Sequence, residues 1–259
     1  MASKKTLEFT AKNVKAFTAW LKKFSIIDNS LLLEIDETTS TFIAKTYNTE
    51  RSVVKMSTIA FDEAGLLTKG TKEPKRIKVG IFNIPRLIKI IDQFSEMEFT
   101  IIVNYQELVG DDKITNFAAE TLEFKNKSLK MSTQCTSLKV FKYIPDDLFM
   151  NTIAKMGVLG TFELVKANIE KINSLCAIDN DHKFIEFKFK DNEVVVSGKT
   201  FELTICEIGR TATTLSVFKN QYANIDIENY NVDLGEDRLV FKSKDSDTVC
   251  VLSMTTDTE

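Results

Sequence analysis

The chain has 259 residues, 43% hydrophobic and 27% charged, with nine glycines and three prolines, the composition of a soluble globular protein of one large or two ordinary domains. Its apolar runs, such as residues 31–33 and 101–103, are too short for a bilayer-spanning helix, and residues 1–5 lead into a polar–apolar alternation unlike a signal peptide, so no membrane partner is expected. With 34 basic against 37 acidic residues and a formal charge of −3, the chain as a whole is no basic wrapper of nucleic acid, and only the distribution of charge can carry such a role.

Residues 6–9 alternate as a strand, and Thr10 can cap a helix over about residues 11–24. Strand-like runs follow at 31–35, 41–47 and 52–58, then a charged loop. Residues 77–82 form another strand, and Asn83 caps a second helix with Pro85 in its first turn. Strands near 97–105, 119–125 and 129–134 complete a unit of strand, helix, strands, helix, strands. The order then begins again: strand 161–166, helix 167–177, strands 184–190, 193–197 and 201–208, a short helical stretch near 216–224, and strands 230–234, 238–243 and 248–255. This repeat predicts an α+β fold of two similar domains, residues 1–142 and 161–259, joined by a connector over 143–160.

No catalytic constellation stands out. The single histidine, His182, follows Asp179-Asn180-Asp181. That acidic turn lacks the glycine and the closing glutamate of a calcium loop. Gly65 to Lys72 nearly spells a phosphate-binding loop, but Thr71 precedes Lys72, and Pro74 stands where a helix should begin. Without that helix no dipole holds a phosphate, so the stretch reads as a loop. Cys135, Cys176, Cys206 and Cys250 lie far apart in apolar stretches, with no CxxC or Cys–His pairing. Reduced thiols in a cytoplasmic protein follow, with no metal and no cofactor.

The first helix carries the most information. On a helical wheel Val14, Phe17, Leu21 and Phe24 share one face, and Lys12, Lys15, Lys22 and Lys23 share the other. No Asp or Glu lies between Thr10 and Ile27. A solvated helix in an acidic protein ordinarily mixes signs, so an unpaired lysine stripe points to an anion opposite. The second helix sets Ile84, Leu87, Ile88, Ile91 and Phe94 against Arg86, Lys89 and Gln93, with Asp92 on its edge. In the second copy the signal thins. Ile169, Ile172, Leu175 and Cys176 back a mixed face of Lys171, Glu170 and Ser174, and the fourth helix offers Lys219 and Asn220.

Two helix-bearing sheet units, basic helices, an acidic whole and no active site resemble a DNA sliding clamp, most closely the clamps of T4-type bacteriophages. Three stretches carry the resemblance: residues 10–35, including Leu21-Lys22-Lys23-Phe24-Ser25-Ile26-Ile27-Asp28-Asn29-Ser30, residues 79–94, and residues 165–197. Cellular two-domain clamps are similar in length and order. Their Asp-Ser-Ser-His-type segment is replaced here by Leu31-Leu32-Leu33-Glu34-Ile35-Asp36-Glu37, which favours the phage type.

The resemblance implies a homotrimer whose six domains close a ring. Its helices would line the hole, with Lys12, Lys15, Lys22, Lys23, Arg86 and Lys89 facing double-stranded DNA, and Lys171 and Lys219 as further candidates. The implied partners are the replicative DNA polymerase, an ATP-driven clamp loader and late-transcription factors, met in the host cytoplasm by a protein without enzymatic activity. Partner peptides would enter an apolar groove at the connector, which carries Leu148, Phe149 and Met150, with Leu252 and Met254 as its wall. Two other readings stay open on the residues alone: a β-rich phage tail or capsid protein whose basic helix is merely solvated, and an enzyme whose site converges from distant carboxylates.

Overall fold

A computed structural model of the chain describes residues 5–94, 96–109, 115–141, 153, 155–179, 182–190, 192–207 and 213–253. The chain divides into two compact units, Met1–Thr46 with Ser57–Ile144, and Tyr47–Met56 with Pro145–Glu259. The second unit thus takes a segment from the first half of the chain, which a division into 1–142 and 161–259 does not anticipate.

The first unit runs β1 (Lys5–Ala11), α1 (Lys15–Ser25), β2 (Leu31–Asp36), β3 (Thr41–Tyr47), the second half of β4 (Val53–Ala60), β5 (Leu66–Thr68), β6 (Arg76–Ile81), α2 (Ile84–Asp92), β7 (Phe99–Val109), β8 (Thr115–Lys125), β9 (Lys130–Gln134) and a 3₁₀ turn at Leu138–Phe141. Its strands lie in the order β3-β2-β6-β8-β7-β1-β5, with β9 added to β8. β6 and β8 run parallel and pair Ile77 with Phe117, while β2 is antiparallel to both neighbours, with Leu33 opposite Ala44 and Val79. β2 is buried along its whole length. Its carboxylates, Glu34 and Asp36, are met by Arg76 at 3.8 and 2.8 Å, as buried charges require.

The two helices of this unit repeat one design. Buried and exposed positions over residues 11–21 recur in the same order over 81–91, so each helix lays one apolar stripe on the sheet. Val14, Phe17, Leu21 and Phe24 of the first, and Ile84, Leu87, Ile91 and Phe94 of the second, join one core cluster. Aromatic rings fill it: Phe42 and Phe61 lie 4.7 Å apart, Phe9 meets Phe61 edge-on at 5.1 Å, and the Trp20 indole donates to Ser57 Oγ at 2.9 Å. Burying each such ring contributes roughly 1.5–3 kcal/mol. Asn83 caps α2 by accepting from the Arg86 N–H at 2.8 Å. Thr10, expected to cap α1, lies inside β1 instead. The helix opens after Val14 without a side-chain cap, because the strand ladder to β7 holds the chain extended as far as Ala11.

The second unit holds β10 (Gly160–Leu164), α3 (Lys166–Ile178), β11 (Phe184–Lys190), β12 (Glu193–Ser197), β13 (Glu202–Glu207), β14 (Thr213–Phe218), α4 (Lys219–Tyr222), β15 (Tyr230–Leu234), β16 (Arg238–Ser243) and β17 (Asp247–Ser253). One sheet is ordered β13-β12-β11-β14 and another β10-β15-β16-β17, with the first half of β4 beside β17. The stretch 216–224, expected to be helical, is mostly not. Residues 213–218 pair with β11, Leu215 opposite Phe187, and a single helical turn follows. Leu175 and Cys176 are only half-buried; Ile169 and Ile172 carry the packing of α3.

Candidate nucleic-acid interface

α1 and α2 lie side by side and run antiparallel, tied at both ends. The Ile84 N–H donates to the Asn29 carbonyl at 2.8 Å, joining the start of α2 to the turn after α1. At the other end Lys12 Nζ meets Glu98 at 3.0 Å. A glycine makes that end possible. Lys12 N–H donates to Gly65 O at 2.8 Å, Gly65 has φ +70°, and a Cβ there would fall 2.3 Å from the Lys12 carbonyl. The left-handed conformation and the close approach both exclude a side chain.

With their apolar stripes in the core, the helices turn a basic face outward. Lys15, Lys22, Arg86 and Lys89 are exposed, and Lys23 is half-buried. The stripe is not the set of four unpaired lysines expected, since Lys12 precedes the helix and is paired with Glu98. More telling is where the acids are missing. None of the four described helices has an acidic residue in its first turn. Lys15, Lys166 and Lys219 open α1, α3 and α4, and Arg86 stands in the first turn of α2. A helix N-terminus carries partial positive charge and is stabilised by Asp or Glu. Within each unit a helix that places a cation there forgoes that stabilisation, as a helix facing an anion would, although on α4 the Asp179 carboxylate already meets Lys219.

The fold has counterparts among solved structures. By sequence, no family model and no curated protein matches the chain. By structure, the chain is similar over 98% of its length to A. fulgidus PCNA bound to the C-terminal region of FEN-1, covering 100% of that chain at 11% identity and a TM-score of 0.60. A Helicobacter pylori beta clamp bound to a DNA ligase peptide matches with a TM-score of 0.62 and 10% identity, and 68% of its length is covered. The PCNA2–PCNA3 complex of Sulfolobus tokodaii matches at 0.57 and 7% identity, with 100% of that chain covered. This is the sliding-clamp fold.

On this clamp fold the other expected residues fall as follows. Lys171 is exposed on α3 beside Glu170. Lys219 is half-buried, and its ammonium contacts the main-chain oxygen of Asp179 and, at 3.2 Å, Oδ2 of the same residue. Leu148, Phe149, Met150 and Met254 lie outside the described residues. Leu252 is fully buried, opposite Leu239 in the β16–β17 ladder, so it is a core residue and not the wall of an open groove. Of the described connector residues, Val158 and Leu159 are exposed, and Met156 packs so close to Gly235 that a Cβ there would meet its sulfur at 2.6 Å.

The features set aside on sequence grounds have structural explanations. The stretch from Gly65 to Lys72 is not all loop: Leu66–Thr68 pairs with β1. Beyond it, the Glu37 carboxylate accepts from Thr71 N–H at 2.7 Å, Thr71 Oγ1 at 2.9 Å and Lys75 N–H at 3.1 Å, filling the turn with a protein anion. His182 N–H donates to Asp179 O at 3.4 Å, and its ring meets Phe184 edge-on at 5.9 Å. No cluster of metal-ligating side chains occurs among the described residues. All four cysteines are unbridged.

Proposed function

We propose that the protein is a sliding clamp that encircles duplex DNA without sequence specificity and tethers a replicative DNA polymerase for processive synthesis. The observation that carries this reading is the acid-free first turn of α1, α2 and α3, with Lys15, Lys22, Arg86 and Lys89 exposed, on a sliding-clamp fold. Lysine and arginine contacts to phosphate carry no sequence information and release counterions, so they hold a duplex while letting it move. The neighbouring structures bind peptides of FEN-1 and DNA ligase, and partners of that kind, together with an ATP-driven loader and late-transcription factors, are proposed for this chain. The finer kinship with T4-type phage clamps, and with it a host-cytoplasmic location, rests on the three stretches at 10–35, 79–94 and 165–197.

Closure of a ring by three copies, which the clamp resemblance implies, is supported by two of the open sheet edges. β9 pairs only with β8 and β13 only with β12 among the described residues. Both edges carry half-exposed positions, Met131 and Thr133 on one and Leu203, Ile205 and Cys206 on the other. Joining β9 of one copy to β13 of the next buries both edges head to tail, an arrangement that can close a ring. The test is retention on DNA after loading with the ATP-driven loader. A clamp stays on nicked circular DNA and runs off linear DNA, whereas equal retention on both overturns the proposal.

A further inference from the structure

The clamp resemblance makes Lys219 a candidate phosphate ligand, but the second unit holds it against a carboxylate of its own. Lys219, the first residue of α4, sends its ammonium to the end of α3, where it contacts both the main-chain oxygen and Oδ2 of Asp179. The two side chains are 15% and 2% exposed. Asp179 is a hub. Its Oδ2 also accepts from Lys199 N–H at 2.8 Å, and its Oδ1 from Thr200 Oγ1 at 3.3 Å. The turn that delivers those donors depends on Gly198, where a Cβ would lie 2.5 Å from Asp179 Oδ2. The backbone of Lys219 is held as well, its N–H donating to Lys183 O at 2.8 Å.

We propose that Asp179 is a positioning residue that withholds Lys219 from DNA and so sets how many phosphates the second unit engages. The inference rests on the clamp reading. Drawing Lys219 toward a phosphate would strand a buried carboxylate without its cation, a change that is strongly unfavourable. Lys15 and Lys22 face no such competition, being exposed and, among the described residues, in no ion pair. Lys219 also borders a cleft of about 420 Å³ with Asn173, Cys176, Asn220 and Tyr222, which leaves its side chain room to swing out once the charge on Asp179 is removed.

The experiment measures the salt dependence of association with a labelled DNA duplex, using the full chain. Asp179→Asn keeps one acceptor oxygen for the Lys199 N–H and turns an amide N–H toward the Thr200 hydroxyl, which can accept it, but drops the charge. It should steepen the salt slope by about 0.9, the value for one neutralised phosphate. Lys219→Gln alone should leave the slope unchanged, and added to Asp179→Asn it should restore the wild-type slope. A shallower slope for Lys219→Gln alone, or an unchanged one for folded Asp179→Asn, overturns the proposal. Should either variant fold poorly, acetylation footprinting of the wild type decides. Lys219 should be protected with and without DNA, and Lys15 and Lys22 only with it. DNA-dependent protection of Lys219 overturns this inference alone. Absence of any protection at Lys15 and Lys22 overturns the clamp reading and this inference together.

Discussion

Lys55 Nζ lies 2.8 Å from Asp226 Oδ1 and 3.0 Å from the Asn224 carbonyl, and the lysine side chain has no exposed surface. Both residues belong to the second unit, although Lys55 sits on β4 in the first half of the chain. A buried cation of this kind is tolerable only while its partners stay in place. Lys55→Ala should therefore destabilise the second unit by about 3–5 kcal/mol, because it removes the buried cation that Asp226 and the Asn224 carbonyl meet. Urea unfolding followed by a probe in that unit checks this. A loss below about 1 kcal/mol would mean that water already reaches the pair.

On the helical face, Lys15→Ala with Lys22→Ala should flatten the salt slope of DNA association by up to about 0.9 for each phosphate that is no longer neutralised. Thermal stability should hardly move, since both side chains are exposed and such substitutions usually stay within about 0.5 kcal/mol. Lys12→Ala should do less, because Glu98 already occupies its ammonium. Equal effects from all three would show that the Lys12–Glu98 pair opens freely on binding.

The open edges make a separate prediction. Ile205→Lys places a charge on the half-exposed edge of β13, and edge charges block strand pairing. Sedimentation should show the wild type at three times the 29.4 kDa chain mass and the variant as a monomer with an unchanged circular dichroism spectrum. A wild type that stays monomeric at micromolar concentration speaks against the ring itself.

Acid should weaken the first unit through Asp36. Its burial pushes the carboxyl pKa up, but the N–H groups of Thr38 and Thr39 and the Arg76 guanidinium outweigh that and hold it below the usual carboxylate value. A depressed folded-state pKa contributes stability that is present above the unfolded value, about 3.9, and lost as pH falls through the folded one. Urea midpoints should therefore fall on acidification below about pH 4. Asp36→Asn should lower the midpoint at neutral pH and reduce its further loss in acid. An acid loss as large in the variant as in the wild type would assign the effect to other carboxylates.

Burial pushes the thiols of Cys135 and Cys250 up to about 12, so both remain protonated near neutral pH and react slowly with alkylating agents. Mass spectrometry after iodoacetamide treatment at about pH 8 should find Cys250, which is fully buried, unmodified until the second unit unfolds. Modification in the native state at the rate of a free thiol would place Cys250 at a site that opens.

Residue order alone dictated what depends on neighbours a few positions away. Apolar spacing marked both helices of the first unit, Asn83 and Pro85 marked the start of α2, and short apolar or alternating runs marked strands such as Thr41–Tyr47, Phe184–Lys190 and Arg238–Ser243 at their observed bounds. Periodicity is a local property, and a buried face writes it directly into the residue order. It misled where a tertiary partner overrode local preference. Thr10 belongs to a ladder with β7, Leu66–Thr68 is a strand only because β1 lies alongside, and residues 213–218 follow β11 instead of forming a helix.

The candidate surface was legible in the same partial way. That α1 is basic and acid-free can be read from residue order, and so can the exposure of Lys15, Lys22, Arg86 and Lys89. Which lysines were already engaged could not be read there. Glu98 reaches Lys12, Asp179 reaches Lys219, and Asp226 reaches Lys55 from 171 positions away. A charge carries no trace of its partner in its own neighbourhood, because an ion pair depends on distance in space and on burial, both of which arise only when the elements pack.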